Sequence, residues 1–203
     1  MKEAYIPFAG ESVDWEAVPV IPVQEKVGFW ESDATAYAQI CYTEDALLVR
    51  LTTNESEIRR EVNDPLGMPC QDSCLEFFFC PQEGDLRYFN IEFNPNGCMF
   101  LGFGPSIDEL TRLIPIENQK QELFDPAVSF HEGGWSICFR VPYRFIRRFF
   151  PGFTAAPGKT IRANFYKCGD LLAKPHYLAW NMVAREGRSI YHTPEQFGIL
   201  HFD

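Results

Sequence analysis

The chain is poor in positive charge. Its 203 residues include 18 Lys and Arg against 28 Asp and Glu, which gives a formal net charge of -10. Nucleic acids and anionic membrane surfaces attract basic proteins, because their negative charges need positive partners. The composition therefore argues against a nucleic-acid partner and against a membrane partner, and it fits a neutral ligand or a cation better.

The chain also lacks a long apolar run. No stretch approaches the roughly 20 apolar residues of a transmembrane helix. The N-terminal segment MKEAYIPFAG has no apolar core of the kind found in secretory signals. For the sequence as given we expect a cytoplasmic protein, with an export signal trimmed from its start as the alternative.

Paired metal-binding cysteines are missing as well. The chain has 7 cysteines but no CxxC pair, and Cys70, Cys74 and Cys80 have no second cluster along the sequence to complete a zinc site. Since the number is odd, at least one thiol is unpaired unless another chain contributes. Cys41 and Cys138 lie in strand-like runs, where a small buried thiol is the ordinary role, and this usage suits a reducing compartment.

Short apolar runs separated by Gly and Pro are abundant. They predict one all-β domain over residues 1–203, a two-layer antiparallel β-sandwich of the jelly-roll or immunoglobulin-like kind with a few short helices in its connections. Residues 1–33 lack a stable period and are predicted to form an irregular arm on the sandwich. Outside the segment described next, strands are predicted near 34–43, 46–53, 98–103, 126–131, 135–141, 160–168, 177–183 and 197–202. Short helices are predicted over 55–62, 106–109 and 143–150, with a polar connection over 114–125.

The most informative segment runs over residues 70–97. It predicts two strands joined by a polar turn at 82–85, with side chains that alternate between two faces. Leu75 and Phe77 share one face of the first strand, and Glu76 points the other way. A glutamate within an aromatic strand is costly to bury without a hydrogen bond, so we expect Glu76 to face a polar group such as a ligand.

Further polar side chains fall on strands that can share this face. Asn90 and Glu92 lie on one side of the second strand, and Arg162 and Asn164 lie on one side of a later strand. Carboxylates and amides bind sugar hydroxyl groups, and aromatic rings stack on sugar rings. A solvated sheet face and a structural ion pair between Arg162 and a neighbouring glutamate are the competing interpretations.

Several short motifs follow one another in a defined order. They are DSCLEFF at 72–78, YFNIEFN at 88–94, Gly134-Trp135, Pro142-Tyr143, residues 177–180 and YHTPEQFG at 191–198. In this order the chain resembles the carbohydrate-binding modules of family 9 and their relatives in the DOMON-like superfamily, from about residue 34 to the C-terminus. The resemblance implies a non-catalytic module that binds a small saccharide or the end of a polysaccharide chain.

The resemblance also implies site residues. Polar sugar contacts transfer to Glu76, Asn90 and Asn164, and one half of an aromatic clamp transfers to Tyr191. The other clamp position holds Cys70, which cannot stack on a sugar. The full predicted sugar-binding set is Glu76, Asn90, Glu92, Arg162, Asn164, Trp180, Arg188 and Tyr191.

Two members of this set have competing interpretations. Trp180 would assist stacking, but it shares its strand side with Leu178 and Met182, which is typical of a core position. Arg188 stands where the family can carry an amide, which changes the hydrogen-bonding geometry. With one stacking face, the expected Kd is on the order of 0.1–1 mM, or about 4–5.5 kcal/mol of binding free energy.

Three other functions stay open. The chain could be an interaction domain that has kept the sandwich and lost the sugar. It could be a glycoside hydrolase that uses Glu76 and Glu92 as acid and base. It could bind haem, as some DOMON-like domains do, with Met68 and His192 as axial ligands, although it has no covalent attachment motif.

No cofactor is predicted. Structural calcium is implied by the resemblance, since family members often carry it in loops. The candidate oxygens belong to Glu55, Asp64 and Asp72, but their spacing does not match a defined calcium-binding loop.

Overall fold

The computed structural model describes residues 1–10, 12–28, 32–183 and 191–203. Within these residues two sheets pack as a sandwich, which confirms the predicted all-β fold class. The strands are β1 (Glu3–Ile6), β2 (Ile21–Val23), β3 (Glu25–Lys26), β4 (Thr35–Tyr42), β5 (Ala46–Asn54), β6 (Cys74–Cys80), β7 (Tyr88–Phe93), β8 (Met99–Gly104), β9 (Thr111–Arg112), β10 (Ala127–His131), β11 (Gly134–Pro142), β12 (Thr160–Cys168), β13 (Tyr177–Ala179) and β14 (Gly198–Phe202). The helices are α1 (Glu117–Phe124) and α2 (Tyr143–Ile146), and single 3₁₀ turns cover Pro69–Gln71 and Pro194–Gln196.

The larger sheet has the strand order β1-β14-β12-β6-β7-β8-β9, with β13 paired to β12 and β3 paired to β13. The smaller sheet has the order β10-β11-β5-β4-β2. The strand pairs are antiparallel apart from β1 and β14, which run parallel. This order puts β6 and β7 in the middle of the larger sheet, with β12 on one side and β8 on the other.

The main core lies between the sheets and is rich in phenylalanine. On β6, Phe77 stacks on Phe79 and on Phe165 of β12, with ring centroids 4.9 and 5.1 Å apart. These rings share one hydrophobic cluster with Val49 of β5 and Ile137 of β11 in the smaller sheet. Because side chains alternate along a strand, the other face of β6 and β7 points away from the smaller sheet, and we call it the outer face.

The described residues among 1–33 are not wholly irregular, in contrast to the predicted irregular arm. They contribute β1 and β3 to the larger sheet and β2 to the smaller one. Ile6, Ile21 and Val23 are buried in the main core, which explains why these segments extend along the sheets. The strands have between two and four residues, too few for an alternating pattern to be visible in the sequence.

The helix predicted over 55–62 does not form. The Glu55 N–H donates to the Gly133 carbonyl at 2.8 Å, and the Val62 N–H donates to Asp72 Oδ2 at 2.8 Å. In a helix over 55–62 the Val62 N–H would bond to the carbonyl four residues earlier, whereas here it is bonded to a distant side chain. Residues 106–109 form bends and a turn, and α1 lies in the predicted polar connection. Among the described residues, no helix is both long and apolar enough to cross a membrane.

Candidate functional site

A cleft with a cavity volume of about 260 Å³ opens on the outer face of the larger sheet. That volume is just below the range of typical small-molecule pockets. Polar side chains from strands and loops line it together with aromatic rings. The polar residues are Glu76, Asn90, Glu92, Asp170 and His192, and the rings belong to Phe100, Tyr177 and Tyr191.

Two carboxylates form the floor of the cleft. Glu76 on β6 and Glu92 on β7 are direct cross-strand partners, and they are 2% and 5% exposed. Burial, reinforced by the Glu92 carboxylate, raises the pKa of Glu76 well above its usual range. Burial also raises the pKa of Glu92, against the opposing effect of the Asn90 amide. Two carboxyl groups this close in a dry site are costly to ionise together.

Two buried oxygen atoms in the cleft have no hydrogen-bond partner among the described residues. They are Asn90 Oδ1 and Glu92 Oε2. A buried polar atom left unsatisfied costs about 1–3 kcal/mol, and buried polar atoms in native proteins are nearly always bonded. Both oxygens can accept a hydrogen bond, so a ligand that donates hydroxyl groups would satisfy them. The structure brings together Glu76, Asn90 and Glu92 as the sequence analysis expected.

Tyr191 lines the cleft but is less accessible than a loop platform would be. It is 7% exposed, and its ring stacks on Tyr166 with centroids 3.9 Å apart. Its hydroxyl lies 3.1 Å from the Lys167 carbonyl and 3.2 Å from the Leu178 carbonyl. Tyr191 is therefore both part of the cleft wall and part of the packing that holds the loop to β12 and β13.

Tyr177 is a cleft residue that the sequence analysis missed. Its hydroxyl donates to Asp170 Oδ1 at 2.9 Å, and its ring meets Tyr191 edge-on with centroids 6.0 Å apart. The sequence contained the signal. If Leu178 and Trp180 point to the core, alternation puts Tyr177 on the outer face.

Trp180 does not line the cleft, so its predicted role in stacking is corrected. It is 3% exposed in the main core and lies against Phe165, with ring centroids 5.8 Å apart. Trp180 follows β13 on the same side as Leu178, which belongs to the same hydrophobic cluster. Trp180 is therefore a core residue, which was the competing interpretation of its place in the sequence.

Arg162 and Asn164 also lie elsewhere. On β12 it is Tyr166 that pairs with Glu76, while Arg162 pairs with Cys80 at the far end of β6. Arg162 donates to the Glu195 carbonyl at 3.0 Å, and this register leaves it too far along the strand to form an ion pair with Glu76 or Glu92.

The Asn164 side chain is used within the fold. Asn164 Nδ2 donates to the Tyr166 hydroxyl and to the Asn181 carbonyl, both at 2.9 Å, and Asn164 Oδ1 accepts from the Asn181 N–H at 2.9 Å. Because both ends of the amide are engaged, Asn164 secures the chain after β13 instead of facing the cleft. Arg188 falls outside the described residues.

The three carboxylates proposed as calcium ligands each form hydrogen bonds or an ion pair with different protein groups. Asp72 accepts hydrogen bonds from Arg59, from the Val62 N–H and from Asn94 Nδ2. Glu55 forms a buried ion pair with Lys167 at 3.0 Å. Asp64 Oδ1 accepts from the backbone N–H of Leu66 at 2.7 Å. These three carboxylates do not fit a shared calcium ion.

The two side chains considered as haem ligands both reach the cleft. Met68 and His192 line it, and His192 Nδ1 lies 2.6 Å from the Tyr88 hydroxyl. Burial lowers the pKa of His192 to about 4, so the ring is neutral at physiological pH. Its hydrogen bond to Tyr88 fixes the orientation of the ring at the cleft wall.

Comparison with known proteins agrees with this geometry. The family model described as carbohydrate-binding family 9 matches residues 8–202. A solved structure from Bacteroides uniformis, whose suggested role is carbohydrate binding, has 25% sequence identity and a TM-score of 0.79, with 100% of this chain and 99% of that chain covered. No curated protein matches the chain.

Two further solved structures share the fold at low identity. Both are family 9 carbohydrate-binding modules from Caldicellulosiruptor kristjanssonii, each 13% identical to this chain. The complex with glucose has a TM-score of 0.70 and covers 100% of this chain and 96% of that one. The complex with cellotriose has a TM-score of 0.68 and covers 99% and 93%.

Proposed function

The chain belongs to carbohydrate-binding family 9, so its function is to bind carbohydrate, and we propose that it does so in the cleft on the outer face. The observation that carries this proposal is the pair of unsatisfied acceptors, Asn90 Oδ1 and Glu92 Oε2. Sugar hydroxyl groups are donors of the right kind for both atoms. When Glu92 is ionised, a hydrogen bond to its oxygen is also stronger than one between neutral groups.

Aromatic rings beside these acceptors support the same ligand class. Tyr177 and Tyr191 line the same cleft as Asn90 and Glu92. Rings of this kind can pack on the C–H groups of a sugar while the acceptors bind its hydroxyls. Cys70 also lines the cleft. Tyr177 therefore supplies aromatic surface that the cysteine at the second clamp position cannot supply.

The carboxylates favour binding over hydrolysis. A glycoside hydrolase needs its two carboxyl groups on either side of the scissile bond. Glu76 and Glu92 instead lie side by side on adjacent strands of one sheet face. We therefore propose that the protein binds its sugar without cleaving it, as expected of a carbohydrate-binding module.

The size of the cleft favours a small ligand. A volume of about 260 Å³ suits one sugar unit or the end of a chain better than a long internal segment. Because the related modules were solved with glucose and cellotriose, glucose and short gluco-oligosaccharides are the first ligands to test. The expected Kd is on the order of 0.1–1 mM. A cytoplasmic location and the lack of a cofactor stay predictions.

Ligand-observed NMR against a panel of mono- and oligosaccharides tests the proposal. Saturation transfer to one sugar class should be strong for the wild type and lost for Asn90→Ala and Glu92→Gln, with no product after overnight incubation. Arg162→Ala is the matched control, since Arg162 lies away from the cleft and should leave the signal unchanged. A folded protein that shows no saturation transfer to any sugar of the panel would instead support the interaction-domain alternative.

A further inference from the structure

Three side chains that can ligate a metal ion meet beneath the cleft. Cys74 and Glu76 lie two residues apart on β6 and so share its outer face, and Cys168 on β12 is the direct cross-strand partner of Cys74. The two sulfur atoms and a Glu76 oxygen all lie within 4.8 Å of one another. Glu76 Oε1 is 2.9 Å from Cys168 Sγ. The group therefore arises from the register of two central strands.

The donor set suits zinc. Zinc binds thiolate sulfur at about 2.3 Å and carboxylate oxygen at about 2.0–2.2 Å in a tetrahedron, so its ligand atoms lie roughly 3.5–3.8 Å apart. Because the three atoms already lie within 4.8 Å of one another, small side-chain adjustments would bring them to such positions. Two sulfur donors select zinc over calcium and magnesium, which prefer oxygen ligands throughout.

The surroundings of the group favour a cation. Glu92 is the cross-strand partner of Glu76, and Asp170 lines the same cleft. In the part of the chain that the structure describes, the ion pairs of Lys and Arg are formed with other carboxylates, such as Glu55 with Lys167 and Asp72 with Arg59. A divalent ion would offset the negative charge that these side chains concentrate.

The cleft gives a metal ion access to the group. Glu76 and Cys168 both line the cleft, while Cys74 is fully buried behind them. An ion entering from the cleft would meet the carboxylate and one thiol first and the second thiol below. A three-ligand zinc site also keeps one coordination position open, and here that position would face the cleft.

We propose that Cys74, Glu76 and Cys168 form a zinc site whose fourth coordination position opens into the cleft. Binding replaces the two thiol protons and the proton of the Glu76 carboxyl group, which are released to solvent, and no oxidant or reductant is involved. The competing interpretation is a chain of hydrogen bonds among two thiols and a carboxyl group that needs no metal. The proposal concerns this group alone and does not depend on the sugar ligand.

The test is a zinc titration of the full chain. The protein is first stripped with a chelator, kept reduced with a phosphine, and then titrated with Zn²⁺ in competition with a chromophoric chelator. We expect one equivalent of zinc per chain. Titration with Co²⁺ should give an absorption band from thiolate-to-cobalt charge transfer, which reports sulfur ligation directly.

Matched variants separate this site from other thiols. Cys74→Ser and Cys168→Ser should each weaken zinc binding. Cys80→Ser is the control, because Cys80 is a buried thiol on the same face of β6 but outside the group. It should bind zinc as the wild type does.

The proposal fails if the reduced wild type binds less than one equivalent or shows no thiolate band. It also fails if Cys74→Ser and Cys168→Ser bind as tightly as Cys80→Ser. Glu76→Gln keeps the shape of the side chain and covers the case in which a serine variant does not fold: it should weaken zinc binding while the thermal unfolding curve stays cooperative. The sugar titration is run on chelator-stripped protein, so the two proposals fail independently.

Discussion

The inner and outer faces of the central strands β6 and β7 are both buried, yet they are built differently. Phe77 on the inner face stacks on its neighbours and is 0% exposed. On the outer face Asn90 and Glu92 are 1% and 5% exposed, and each keeps an oxygen without a hydrogen-bond partner among the described residues. Burial alone thus does not separate core from site. On β6 and β7 the two faces differ in chemistry, because the inner face carries apolar side chains and the outer face holds two acceptors that a ligand can satisfy.

The largest effect is expected on the inner face. Phe77→Ala removes a ring that packs on two others in the main core, and it should lower the free energy of unfolding by about 3–5 kcal/mol. Urea unfolding measures this change. Molecules that remain folded should bind sugar as the wild type does, because Phe77 points away from the cleft. A loss below about 1 kcal/mol would contradict the assignment of this face as the core.

Tyr191 lies between the two kinds of surface, and two substitutions should separate its roles. Tyr191→Ala removes the stack on Tyr166 and the hydroxyl contacts to two carbonyls, so it should cost about 2–4 kcal/mol of stability and abolish sugar binding. Tyr191→Phe keeps the ring. It should cost about 1 kcal/mol and leave sugar affinity within about twofold of the wild type.

Calorimetric titration and urea unfolding of both Tyr191 variants check this prediction. Equal stability of Tyr191→Ala and the wild type would show that the residue is an exposed platform that contributes to sugar binding alone. Equal loss of sugar binding in both variants would show that the hydroxyl, not the ring, contacts the ligand.

His192 on the outer face should make stability depend on pH. Its pKa is held at about 4 in the folded protein, below the ordinary value of 6.5, because burial disfavours the charged ring. A lowered folded-state pKa contributes stability that is full above 6.5 and is lost as the pH falls toward 4. From pH 7.5 to pH 5 the loss should be about 2 kcal/mol.

The His192→Gln variant isolates this contribution, since other groups that titrate in the same range are common to both proteins. Unfolding free energies of the two proteins are compared at pH 7.5 and pH 5. The advantage of the wild type should shrink by about 2 kcal/mol at the lower pH. A constant difference would mean that His192 titrates normally and is not held neutral at the cleft wall.

The smallest effect is expected at Arg162. Its side chain donates one hydrogen bond to the Glu195 carbonyl at the surface, so Arg162→Ala should change the free energy of unfolding by no more than about 0.5–1 kcal/mol. Sugar affinity should not change. A clear loss of affinity would show that Arg162 contacts the sugar. It would contradict the register between β6 and β12.

Local patterns in the sequence predicted the faces of the strands well. The alternation of Leu75, Glu76 and Phe77 put the glutamate opposite the core, and the same rule put Asn90 and Glu92 beside it. A period of two is a property of each strand by itself, so a single sequence contains it. This is why the fold class and the floor of the cleft could both be predicted.

Register between distant strands could not be predicted in this way. Alternation placed Arg162, Asn164 and Tyr166 on one side of β12, but only the pairing with β6 shows that Tyr166 lies beside Glu76. The same pairing brings Cys168 to Cys74, although the sequence showed no second cluster of cysteines. Hydrogen bonds between distant segments likewise replaced the helix expected after Asn54.

The most direct test of the central claim, that the outer face of β6 and β7 binds the sugar, is a sugar titration followed by backbone amide chemical shifts. The largest shifts are expected at Asn90, Glu92 and Tyr191, with little change at Phe77, and Glu92→Gln should suppress them. Shifts that cluster around Arg162 or elsewhere on the surface, or that persist unchanged in Glu92→Gln, would contradict the account.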